Sequence, residues 1–209
     1  MIVTELIKAV QQADSADRLL DAVEALAAAR HEAAILTLIE VLGYNNPGAA
    51  VAAVDGLIEL GEPVVPILLD RLDEYNYGAR AWATRVFAGI GDPIALDLLL
   101  RAAGSDFSLS VRRAAARGLG NILWHKLPPQ QRLTAQTRVL KTLLQVAEED
   151  PEWVVRYASC VGLQSLGINV PQFAAEIAQF LDRAIATDGE LVVRARAQIA
   201  LNQLERDVS

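Results

Sequence analysis

"PGAAVAAVDGLIELGEP" (47–63) aligns without a gap to "YGARAWATRVFAGIGDP" (77–93), thirty residues further on. The pattern returns in "LSVRRAAARGLGNIL" (109–123), "WVVRYASCVGLQSLG" (153–167) and "LVVRARAQIALNQLE" (191–205), with a weaker copy in "RLLDAVEALAAA" (18–29). Small and apolar residues recur at helical spacing within each copy. Val111, Ala114, Ala115, Gly118, Leu119 and Ile122 mark one buried stripe. Apolar segments lie between the copies: 33–42, 64–72, 93–103, 137–147 and 173–185. Each unit therefore reads as two antiparallel helices, and neighbouring units stack to bury a shared core. Gly61 and Gly91 stand where a helix must end in a left-handed turn, and Pro63 and Pro93 open the next helix. The expected fold is an all-α, curved α-solenoid of five to six HEAT-like helix-pair repeats. It is read as one domain over 1–209, interrupted by a longer turn near 125–131 ("HKLPPQQ") that should bend or loosen the stack.

Composition agrees with helices. The hydrophobic fraction is 53%, much of it alanine, while aromatics make up only 5%. Alanine loses no side-chain entropy in a helix, so such windows favour that state. No apolar run reaches the roughly 18 residues of a membrane span. The opening "MIVTELIKAVQQADS" has neither a basic start nor a cleavage pattern, so the expectation is a cytoplasmic protein without membrane insertion. A single cysteine, Cys160, excludes an internal disulfide.

The net charge of −7 is unevenly spread. Residues 1–77 balance to −9, residues 78–120 to +3, and residues 121–209 to −1. An acidic chain repels phosphate backbones, which argues against nucleic acid as a partner. The basic island is the place for a small anionic ligand.

Acid and arginine recur with a fixed spacing: Glu74 and Arg80, Asp106 and Arg112, Asp150 and Arg156, Asp188 and Arg194. A carboxylate in the inter-helix turn caps the following helix and pairs with an arginine of a neighbouring unit. These residues are assigned to the scaffold. Binding residues are sought instead where the repeat is broken. Trp82 takes a slot held by Ala52, Ala114 and Ala158. Arg85 and Arg117 share a slot that holds Val161 and Ile199 elsewhere, and Arg113 and Tyr157 share one that holds Val51, Ala81 and Ala195. Tyr75 has no aromatic counterpart in the later copies. Second helices line the concave face of such stacks, where aromatic and arginine side chains can hold a flat, carboxylate-bearing ligand. Two readings of Trp82 stay open, a ligand platform or a filler of a core gap. Likewise Arg85 and Arg117 either hold a ligand or pair with surface carboxylates. Tyr77 aligns with Leu109, Trp153 and Leu191 as a hydrophobic staple at a helix start. Leu19, Leu20, Val23 and Leu26 near the N-terminus are expected to present apolar area to another helical-repeat chain.

No set of catalytic or metal-binding residues emerges. His31 and His125 stand alone, without ligand partners at metal spacing. Gly118 and Gly120 fall inside a helix, so there is no phosphate loop. Cys160 has no adjacent base to lower its pKa and reads as a helix position without chemistry of its own.

"EYNYGARAWATR" (74–85), "DFSLSVRRAAARGLG" (106–120) and "EWVVRYASCVGLQSLG" (152–167) together resemble the E/F-type phycobilin lyases, HEAT-like repeat proteins of cyanobacteria. The likeness covers most of the chain and is strongest from Glu74 to Gly167. The compact length resembles the F (beta) subunits that act on the phycocyanin alpha chain. No His-Cys pair of the isomerising lyases is present, since Cys160 is followed by Val161. The resemblance implies a heterodimer with an E-type (alpha) subunit, phycocyanobilin as substrate rather than a tightly bound cofactor, and the phycocyanin alpha subunit as acceptor. It implies bilin contacts among Tyr75, Asn76, Tyr77 and Trp82, to which the broken slots add Arg85, Arg113, Arg117 and Tyr157. Two alternatives are a HEAT-like phycobilisome-binding protein of bilin removal or antenna breakdown, and a non-enzymatic repeat scaffold.

Overall fold

The computed structural model describes residues 2–71 and 77–208, the side chains of 77, 78 and 208 excepted. Among the described residues there are twelve α-helices and no strand. They fall into two compact units, residues 1–90 and 91–209.

In the first unit the helices are α1 (Val3–Gln12), α2 (Ala16–Ala28), α3 (Ile35–Val41), α4 (Pro47–Leu60), α5 (Val64–Asp70) and α6 (Tyr77–Ile90). Their starts follow local chemistry. The Ser15 hydroxyl accepts the Arg18 N–H at 3.3 Å, and the Asn46 side-chain oxygen accepts the Ala49 N–H at 3.0 Å, with Pro47 opening α4. Helix α4 ends at Gly61, whose φ of 72° is the left-handed value expected of a glycine stop. Helices α2, α4 and α6 form one layer, in which α4 packs on both neighbours. Gly56 lets α4 approach α2, for a Cβ there would lie 2.6 Å from that of Ala27. Val23 and Leu26 are wholly buried between α1, α2 and α4. Of the apolar face expected near the N-terminus, Val23 and Leu26 are therefore covered by the chain's own helices, α1 among them, while Leu19 and Leu20 stay half-buried.

The second unit holds α7 (Leu96–Ser105), α8 (Leu109–Leu119), α9 (Pro129–Glu149), α10 (Trp153–Asn169), α11 (Ala174–Thr187) and α12 (Leu191–Val208). Helices α8, α10 and α12 make the inner layer, and α7, α9 and α11 the outer one. Of the stripe read from the sequence, Val111, Ala115, Gly118, Leu119 and Ile122 are buried and Ala114 is half-buried. Backbones touch where the copies carry glycine: a Cβ on Gly162 would stand 2.3 Å from the Ala116 carbonyl oxygen. Between Ile122 and α9 the chain makes a 3-10 turn over Trp124–Lys126. This segment is tied down at two points. Lys126 Nζ reaches the buried Asp92 carboxylate at 2.8 Å, and Arg132 donates to the carbonyls of Leu127 and His125 at 2.8 and 3.0 Å.

The arginine–carboxylate spacing builds a clasp between repeats. Arg112 donates from Nε and Nη2 to both oxygens of Asp150, at 2.7 and 3.1 Å, and from Nη1 to the Asp106 carbonyl at 2.9 Å. Asp150 also accepts the Glu152 N–H at 2.9 Å, in the turn that leads into α10, so it steadies that turn while holding α8. Arg156 repeats the arrangement with Asp188 at 2.9 and 3.0 Å, and Asp188 accepts the Glu190 N–H at 2.8 Å. The hydrogen bonds that Arg112 donates to Asp150, opposed by burial and aided by the carboxylate charge, raise the Arg112 pKa. Burial alone would push the Asp188 carboxyl up; the bonds from Arg156 and the Glu190 N–H outweigh it and hold the group below its ordinary value. Arg194 keeps only the backbone half of the pattern, donating to the Asp188 carbonyl at 2.7 Å.

Candidate functional site

The residues that break the repeat fall on second helices. In the first unit, Trp82 and Arg85 lie on α6, three residues apart and both half-buried. The Arg85 guanidinium carbon sits 4.6 Å from the Trp82 ring centroid, within cation–π range. The indole is thus neither sealed in the core nor isolated on the surface: one face carries a cation. Thr84 behind it is buried and donates to the Arg80 carbonyl at 2.8 Å. Tyr75, Asn76 and Glu74 lie outside the described residues, and Tyr77 is placed only as the first residue of α6.

In the second unit, Arg113 and Arg117 are exposed and one turn apart on α8, while Tyr157 is half-buried on α10. A residue absent from the sequence-based set joins them. Arg196 of α12 is only 7% exposed, its guanidinium carbon lies 6.0 Å from the Tyr157 ring centroid, and it donates to the side-chain oxygen of Gln164. Burial lowers its pKa against smaller opposing effects of Tyr157 and Cys160, and the Arg117 cation adds a still smaller downward push. The signal for Arg196 was in the alignment: "LVVRARAQIA" puts it in the slot of Ala52, Ala114 and Ala158, the same slot that Trp82 breaks.

Cys160 is 1% exposed, and burial pushes its thiol up to about 12. A thiolate is therefore disfavoured there, and the side chain serves as core. His31 is exposed, its Nδ1 accepting the Ala33 N–H at 3.1 Å, and His125 is exposed as well. The staple slot differs from expectation: Leu109, Trp153 and Leu191 are 41, 42 and 71% exposed. As first residues of their helices, they stand beyond the buried stripe. No group of His, Cys, Asp and Glu among the described residues is arranged to hold a metal ion, and no helix there is long and apolar enough to cross a membrane.

Each unit is a stack of helix pairs with cations and aromatic rings at repeat-breaking positions of its second helices, which places the chain among the helical-repeat proteins. Residues 65–164 match the family of HEAT repeats. A phycobilisome maturation protein of Synechococcus elongatus is 54% identical over 98% of this chain and 99% of its own length. The phycocyanin alpha phycocyanobilin lyase CpcF of Synechocystis is 52% identical over 93% of this chain and 90% of its own. Among solved structures, the complex of CpcE and CpcF of phycocyanin lyase from Nostoc matches with a TM-score of 0.76 at 52% identity, over 81% of this chain and 99% of the matched one. The chain belongs to the E/F-type phycobilin lyase family, among its beta (F) subunits.

Proposed function

We propose that this chain is the beta subunit of a heterodimeric bilin lyase. With an E-type partner it binds phycocyanobilin and promotes its thioether attachment to a cysteine of the phycocyanin alpha subunit, in the cytoplasm. The observation that carries this reading is the near full-length identity of about half with lyase beta subunits, joined to the structural match with the CpcE–CpcF complex.

The chemistry asks little of a catalytic side chain. Thiol addition across the ethylidene double bond of the bilin forms a carbon–sulfur bond, breaks the π bond and delivers the thiol proton to the ring carbon. No oxidant or reductant is needed. The contribution of the lyase is to hold an extended conjugated plate and present one carbon to the acceptor, which is catalysis by proximity and orientation. Cys160, buried and with a raised pKa, is unsuited to carry the bilin covalently. The Trp82–Arg85 pair offers a ring face with an adjacent cation, and Arg113, Arg117 and Tyr157 provide the same chemistry on α8 and α10.

The test combines apo-alpha subunit, phycocyanobilin and this chain, with and without the E-type subunit, and reads covalent bilin fluorescence after denaturing electrophoresis. Attachment is expected only when both lyase subunits are present. Arg85→Ala should weaken bilin binding by about tenfold or more, roughly 1.4 kcal/mol, with the fold retained. Equal attachment when this chain is omitted, or bilin loss from the holo-alpha subunit on adding it, would favour the scaffold or removal reading instead.

A further inference from the structure

The least explained charge among the described residues is Arg196. Arg112 and Arg156, which are also largely buried, each grip a carboxylate through two hydrogen bonds. Arg196 is 7% exposed, yet its one hydrogen-bond partner is the neutral side chain of Gln164. It makes no ion pair with a carboxylate among the described residues, and the other cation that acts on it, Arg117, adds a small push in the same direction as burial. A guanidinium buried without an anion is costly to keep, and packing does not require it, because three other copies hold alanine in this slot. Its geometry is nevertheless fixed. Tyr157 lies against the guanidinium at 6.0 Å and Gln164 takes one N–H. The remaining N–H groups have no acceptor among the described residues, and none of these nitrogens is sealed from solvent. Such a fork, oriented and left open, is the donor half of a bidentate carboxylate pair.

We propose that Arg196, oriented by Tyr157 and Gln164 and backed by Arg117, is a carboxylate-binding subsite. On the lyase reading given above, on which this inference rests, its occupant is a propionate of the open-chain tetrapyrrole. The exposed Arg117 supplies long-range attraction and the buried Arg196 the directed hydrogen bonds. A carboxylate bound to Arg196 neutralises the charge that burial leaves uncompensated.

The test uses the full chain with its E-type subunit, titrated by absorbance with phycocyanobilin as the free acid and as its dimethyl ester. The wild type is expected to prefer the free acid by about tenfold or more. Arg196→Met should abolish most of that preference by weakening the free acid alone, while the melting temperature holds or rises. Arg196→Lys, which keeps the charge but loses the fork, should restore part of the preference, and it carries the comparison if the Met variant does not fold. An unchanged acid-over-ester preference in the variants overturns the subsite. So does an equal loss for both ligands. Weakened association with the E-type subunit at unchanged bilin preference would assign the anion to a protein side chain, also against the proposal. If the wild type binds neither form, the lyase reading falls and the propionate assignment falls with it.

Discussion

Replacing Asp150 with alanine removes three bonds at once: both hydrogen bonds from Arg112 and the one from the Glu152 N–H. The pair is largely out of water, with side-chain exposures of 13% for Arg112 and 6% for Asp150. Breaking such a pair from one side leaves a cation with poor solvation, and about 3–5 kcal/mol is the usual cost. For a chain of this size each kcal/mol lowers the melting temperature by roughly 2–4 °C, so Asp150→Ala should melt about 6–20 °C lower. Asp150→Asn keeps one oxygen to accept from the Glu152 N–H and Arg112 Nη2 but loses the charge and the acceptor for Nε, which should cost roughly 1.5–3 kcal/mol. Both variants belong in a calorimetric or circular-dichroism melt, with bilin affinity measured on the folded fraction. That affinity should stay near wild type, because Asp150 serves the stack. A shift of under about 2 °C for the alanine variant would refute the reasoning, as would an asparagine variant as damaged as the alanine one.

Gly162→Ala would set a Cβ 2.3 Å from the Ala116 carbonyl and should destabilise by about 1–3 kcal/mol, whereas Gly104→Ala, with nothing within 4 Å, should stabilise by about 0.4–1 kcal/mol in the same urea titration. Asp188 has a depressed pKa, so its contribution is present above the unfolded value near 4 and is lost as pH falls through the lower folded value. Arg156→Met should move that acid loss to higher pH, since burial is then opposed only by the Glu190 N–H and the more distant Arg194 charge; identical pH-stability profiles would contradict the assignment. Cys160 should resist thiol reagents at pH 8 in the native chain and react fully in denaturant, and rapid stoichiometric labelling without denaturant would show the thiol to be open.

The helix pairs were legible because small residues recur at a fixed interval and glycine and proline punctuate them. Gly61 and Gly91 do take the left-handed conformation their positions called for, at φ of 72° and 69°. The clasps were legible as a six-residue spacing, though the identity of the partner repeat was not, since Arg112 reaches forward to Asp150 rather than back to its own Asp106 side chain. Helix α1 escaped the repeat comparison because it lacks the pattern, and with it the cover over Val23 and Leu26. Arg196 escaped for a different reason. Read one residue at a time, an arginine in "VVRARAQ" looks like surface charge; only its slot shows that it points inward.

The two clasps span different lengths of chain. Arg112 and Asp150 are 38 residues apart and Arg156 and Asp188 are 32, yet the bonds are the same. The inner helices differ too, at 11 residues for α8 and 17 for α10, and the longer span is made up by the connector ahead of α9 and by α9 itself, which runs for 21 residues against 14 for α11. The spacing that the clasp enforces is thus one in space, between successive inner helices. A reporter carried on an outer helix, away from the tied turn ahead of α9, should therefore leave the inner helices in register and can be used to follow assembly.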